Sequence, residues 1–162
     1  MLTLASLSPQ QPEWHEYVAL SCAYVLKYWP DASGELSPQE FQEKYEQHLL
    51  QRVAEGGRGL FLLQHNGSTV GLSNAYIHAH TLYIAEFYVT EECRLKGYGQ
   101  QMFQLLMDWG QQQHATHVYI AVDKHLEAAN HFWSSMHNLA LNNSGDRNVY
   151  QGTIPRSGDN EL

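Results

Sequence analysis

Two stretches of the sequence have the residue types and spacing for chemistry. The first is Glu86, a lone carboxylate inside the apolar run LYIAEFYV. An ionised carboxyl group is expensive to bury without a task or a partner, which makes Glu86 a candidate general base. The second follows closely, where RLKGYG sets Arg94, Gly97 and Gly99 at R-x-x-G-x-G spacing ahead of the helix-like QQMFQLLMDWG. At such a strand-to-helix junction the backbone N–H groups near Lys96, Gly97, Tyr98, Gly99 and Gln100 lack intrahelical partners, and the helix dipole favours an anion. Glycine lets a phosphate approach the main chain, and Arg94 and Lys96 add positive charge, so the loop suits a pyrophosphate. It is neither a P-loop, which needs G-x-x-x-x-G-K-[ST], nor a dinucleotide-binding G-x-G-x-x-G.

The elements that position these residues follow from periodicity. LTLASL reads as a first strand, and EWHEYVALSCAYVLKYW as a helix that ends near Pro30. Ser37-Pro38-Gln39-Glu40 has the form of a capping box, and Phe41, Tyr45, Leu49 and Val53 then repeat at four-residue steps until Gly56-Gly57. Asn66-Gly67 between GLFLLQH and STVGLSNAYIHA signals a hairpin. TLYIAEFYV is the strand that carries Glu86, on the face shared with Ile84 and Tyr88. A helix over 98–112 bears the stripe Met102, Leu105, Leu106 and Trp109. THVYIAV reads as a buried strand, EAANHFWSSMHNLA as a helix, and NVYQGTI as the last strand. The pattern predicts one α/β domain over 1–154, with a mixed, mostly antiparallel sheet flanked by helices, and a disordered tail over 155–162.

The formal charge of −8, with only nine Lys and Arg among 162 residues, argues against a nucleic-acid partner. An acidic surface concentrates cationic small molecules, so if the protein has a substrate an amine is the one to expect. The N-terminus lacks the basic head and long apolar run of a signal peptide, and no apolar run approaches a membrane span, so a cytoplasmic location is expected. Cys22 and Cys93 read as separate thiols rather than a disulfide framework. His78 with His80 on one strand face, and His114 with His117 about a turn, have no evident third ligand, so no metal is expected.

On Val89, Arg94, Gly97 and Gly99, and on the order of elements ending with Ala128, Phe132 and Trp133, the chain resembles the GNAT-type N-acetyltransferases. That resemblance implies acetyl-coenzyme A as cosubstrate. It also implies main-chain contacts from Phe87 and Val89 to the pantetheine arm, and a pyrophosphate on the loop amides from Lys96 to Gln100. LYIAEFYV is also similar to the acidic-aromatic strand of spermidine/spermine N-acetyltransferases, which places Glu86 beside an acceptor amine. Two departures stand out. Trp133 occupies the position of the family's acid tyrosine and has no hydroxyl, and Leu126 replaces an asparagine. The resemblance implies direct transfer to a small amine through a ternary complex, with Ser134, Tyr88 or water supplying the proton, and is compatible with a homodimer. A peptide or protein N-terminus is an alternative acceptor, and a non-catalytic acetyl-coenzyme A-binding regulatory module an alternative role.

Overall fold

A computed structural model describes residues 1–156. The expected tail lies, from residue 157 onward, outside the described residues. Seven strands form one sheet in the order β1-β2-β3-β4-β5-β7-β6. They are β1 (Leu2–Ser6), β2 (Arg58–His65), β3 (Ser68–His78), β4 (Thr81–Val89), β5 (His117–Asp123), β6 (Ala140–Ser144) and β7 (Arg147–Thr153). The helices are α1 (Glu13–Tyr28), α2 (Pro38–Ala54), α3 (Tyr98–Gln112) and α4 (Glu127–Ser134). β1 runs antiparallel to β2, while β4 and β5 are parallel, joined through α3. β7 is antiparallel to both β5 and β6, so the sheet is mixed. Among the described residues no helix is long and apolar enough to cross a membrane.

The chain divides into two compact units. The first, Met1–Asn74 with Glu86–Gly99, contains α1 and α2. Its core gathers Trp14, Tyr17, Val18 and Cys22 from α1, Phe41 and Leu49 from α2, and Leu60, Leu62 and Leu72 from the strands. α1 stops at Trp29 because Pro30 disfavours helical geometry in the residue before it. α2 starts where Ser37 Oγ accepts the Glu40 amide at 3.2 Å, with Pro38 at the first helical position. Its four-residue stripe is its inner face: Phe41 and Leu49 are buried, Tyr45 and Val53 half-buried.

The second unit, Ala75–Ala85 with Gln100 onward, is organised by α3, whose buried residues are Met102, Phe103, Leu106, Met107 and Gly110. Leu105 and Trp109, expected on that stripe, are half-buried at its margin. β5 alternates, with Val118, Ile120 and Val122 buried.

Two expectations are corrected here. The last helix ends at Ser134 rather than continuing to residue 140, and Ala140–Ser144 is a strand paired with β7. The turn between them, at Gly145 with φ 64°, is the glycine signal for that hairpin. His80 is not on a strand face with His78: it lies in the β3–β4 turn, with φ 62° beside Ala79 at 48°.

Candidate active site

Glu86 is met by one hydroxyl from each helix of its unit. Ser21 of α1 donates to Oε2 at 2.8 Å, and Tyr45 of α2 donates to Oε1 at 2.7 Å. Ser21 and Tyr45 also touch each other. Tyr17, one turn before Ser21, is fully buried, with no well-formed hydrogen bond to its hydroxyl. It lies close enough to Glu86 and Ser21 to couple with both electrostatically. Burial raises the carboxyl pKa of Glu86 above its ordinary 4.5, opposed by the bonds from Tyr45 and Ser21 and by the charge of Arg58. The residue as a whole is half-buried, while its carboxyl group is desolvated with both oxygens hydrogen-bonded.

The main chain at Glu86 is held separately. Ser73 of β3 is fully buried and donates its hydroxyl to the Glu86 carbonyl at 2.7 Å. Gly71 permits the approach of β3 to β4, since a Cβ there would lie 2.5 Å from the Tyr88 carbonyl oxygen. Arg58 Nη1 donates to Oδ1 of the buried Asn74 at 2.6 Å, which fixes the nearby cation.

Beyond Glu86, Tyr88 packs against Tyr24 with ring centroids 4.9 Å apart, and Tyr28 lies 6.3 Å away. Arg94 closes over this cluster. Its guanidinium carbon lies 5.5 Å from the Tyr88 ring centroid, its Nε donates to the Val89 carbonyl at 3.0 Å, and its Nη2 donates to Tyr28 Oη at 2.8 Å. The structure thus brings Arg94 and Val89 together. A carbonyl oxygen has two lone pairs, so Val89 can accept a second donor. Phe87 is half-buried, alternating with Glu86 along the strand.

The loop leads into α3 through two left-handed residues, Leu95 at φ 63° and Gly97 at φ 80°. Lys96 and Leu95 are exposed, and Tyr98 stacks near His65 at 5.5 Å as it opens the helix. Gly99 is half-buried and Gln100 exposed. Alternating backbone geometry of this kind, a cation and a helix start fit a pyrophosphate. Glu91, just before the loop, pairs with Lys27 of α1.

Trp133 is 3% exposed, edge-on to Phe103 at 5.3 Å and to Phe132 at 4.9 Å. The indole fills the core of its unit and offers no acid. Ser134 is tied to its own helix, donating to the His131 carbonyl at 3.0 Å. Asn130, which sequence reasoning passed over, secures α4: its Nδ2 donates to the Asp123 and Leu126 carbonyls, and its Oδ1 accepts from Asn148 and Tyr150. Among the described residues no group of three or more His, Cys, Asp or Glu gathers as for a metal ion.

Compared with known proteins, residues 22–137 match the pattern of the Acetyltransferase (GNAT) family. The chain belongs to this family. As a GNAT acetyltransferase it works with acetyl-coenzyme A. Its fold is similar to the PaiA N-acetyltransferase of Thermoplasma acidophilum, solved in complex with coenzyme A. The identity is 12%, 94% of this chain and 99% of that one are covered, and the TM-score is 0.74. A GNAT family acetyltransferase from Elizabethkingia anophelis with acetyl-CoA bound matches at 11% identity over 94% and 98% of the two chains, TM-score 0.65. A ribosomal-protein alanine N-acetyltransferase from Escherichia coli matches at 15% identity over 99% and 98%, TM-score 0.61. No curated protein matches the sequence.

Proposed function

We propose that this acetyltransferase moves the acetyl group to the nitrogen of a small cationic amine, polyamine-like or aminoglycoside-like, with Glu86 as general base. The observation that carries the reading is Glu86 itself, a half-buried residue of β4 whose carboxyl group is met by Ser21 and Tyr45 and has its pKa raised by burial. An alkyl ammonium, with a pKa of about 10 by analogy with lysine, must lose a proton before it attacks a carbonyl. Glu86 takes that proton, and the nitrogen attacks the thioester directly in a ternary complex. Phe87 and Val89 offer main-chain groups to the pantetheine arm, and Arg94, Lys96, Gly97, Tyr98, Gly99 and Gln100 the pyrophosphate cradle. A stop on Cys22 is disfavoured, because burial and then the charges of Glu86 and Glu46 push its thiol up to about 12. The acidic balance of the chain supports a cation.

Buried Trp133 favours a second reading, a coenzyme-binding module with little turnover. The leaving thiolate weakens that case: with a thiol pKa of about 8.5 it departs near neutrality with modest help from an acid. The test is thiol release from acetyl-coenzyme A across polyamines, aminoglycosides, amino acids and short peptides. Release with the cationic amines is expected. Release with peptides alone would replace the acceptor class, and coenzyme binding without release under any amine would favour the module.

A further inference from the structure

Three oxygen-bearing side chains meet at one point. Glu86 of β4 contacts Ser21 of α1 at 2.8 Å and Tyr45 of α2 at 2.7 Å, and the two hydroxyls contact each other. Ser21 is fully buried and Tyr45 half-buried on the inner stripe of α2. The three contacts need three hydrogens, but the two hydroxyls supply only two. While Glu86 is ionised, both hydrogens go to the carboxylate, where charge-assisted bonds are strongest. The contact between Ser21 and Tyr45 then has no hydrogen. When Glu86 accepts a proton it can donate to Ser21, Ser21 to Tyr45 and Tyr45 to Glu86, and all three contacts become hydrogen bonds.

We propose that Tyr45 and Ser21 are positioning residues, one hydroxyl from each helix, that hold the Glu86 carboxyl group in one place in both of its protonation states. The inference rests on Glu86 being the base of the proposed reaction. Preorganisation of this kind removes reorganisation from the proton-transfer step. Other groups also face Glu86 or its neighbours: Tyr17 and Cys22 from α1, Glu46 from α2 and Arg58 from β2, with Tyr88 on the same strand. Arg58 favours the anion, and burial opposes it. The two hydroxyls make the well-formed bonds to the carboxyl oxygens, with the buried Tyr17 hydroxyl beside them.

The test is infrared titration of the full chain without coenzyme. Glutamate is labelled with carbon-13, and the Glu86 band is assigned by subtracting the spectrum of Glu86→Gln. Tyr45→Phe removes a bond that lowers the Glu86 pKa, so the titration midpoint should rise. Ser21→Ala should shift it in the same direction, and in both variants the Glu86 band should broaden as the carboxyl group loses its fixed place. With the best amine from the thiol-release screen, the acid limb of the rate profile should move by the same amount. Unchanged midpoint and band width in both variants, with near-ultraviolet circular dichroism intact, would overturn the proposal. If Tyr45→Phe fails to fold, Ser21→Ala decides alone. Full turnover by Glu86→Gln would instead remove Glu86 as base while leaving the infrared result standing, so the two failures are distinguishable.

Discussion

Glu86 ties stability to pH. Its pKa is raised above 4.5 in the folded chain by burial, so between 4.5 and that raised value the folded state holds a proton the unfolded state has released. Stability from this group is therefore fully present below 4.5 and lost as pH rises through the folded pKa. Glu86→Gln cannot ionise, so its melting temperature should gain on that of the wild type as pH rises across the window and hold a constant difference above it. A difference independent of pH would show that the carboxyl group titrates alike in both states. Cys22 differs in kind. With its thiol pushed up to about 12, it should resist iodoacetamide at neutral pH, leaving half-buried Cys93 as the faster site by about tenfold or more in peptide mapping. Equal labelling would contradict the burial of Cys22.

At the scale of elements, the candidate site depends on how closely β3 approaches β4. A Cβ at Gly71 would sit 2.5 Å from the Tyr88 carbonyl oxygen and 3.5 Å from the Val89 Cα, both backbone atoms that cannot rotate away. Gly71→Ala should cost about 1–3 kcal/mol in a urea melt. It should also lower turnover, by up to about a hundredfold, because it displaces the strand that carries Glu86. Wild-type values for both would mean that β4 is positioned by other contacts. Much of this layer was legible in the sequence. The capping box at Ser37, the Asn66-Gly67 hairpin and the four-residue stripe of α2 are local signals, and local signals survive folding. β6 was not legible, because AlaLeuAsnAsnSer at 140–144 is exposed throughout and shows no apolar alternation. His80 was misplaced for a related reason: Ala79 and His80 adopt positive φ, a geometry usually marked by Asn or Gly. Glu86 could be singled out because a carboxylate is conspicuous in an apolar run. Its partners could not, because Ser21 and Tyr45 are 65 and 41 residues distant in sequence and ordinary in type.

For the whole molecule, the reactants proposed here have opposite charges, and a formal charge of −8 acts on them with opposite sign. A cationic amine is drawn in at low ionic strength, whereas anionic coenzyme meets net repulsion relieved near Arg94 and Lys96. Salt screens both fields, with a Debye length of about 10 Å at 0.1 M. Raising salt from about 0.02 M to 0.3 M should therefore raise KM for the amine several-fold, up to about tenfold, while KM for acetyl-coenzyme A stays level or falls. kcat should change little, since the Glu86 carboxyl group is partly shielded from solvent and its partners are fixed. Measured as a matrix of both substrates against sodium chloride, the two KM trends must diverge. If both rise together, the local charge of the loop outweighs the global field for the coenzyme. If neither moves, the acceptor is not selected by charge, and a neutral or zwitterionic amine would replace the cationic one in the proposed reaction.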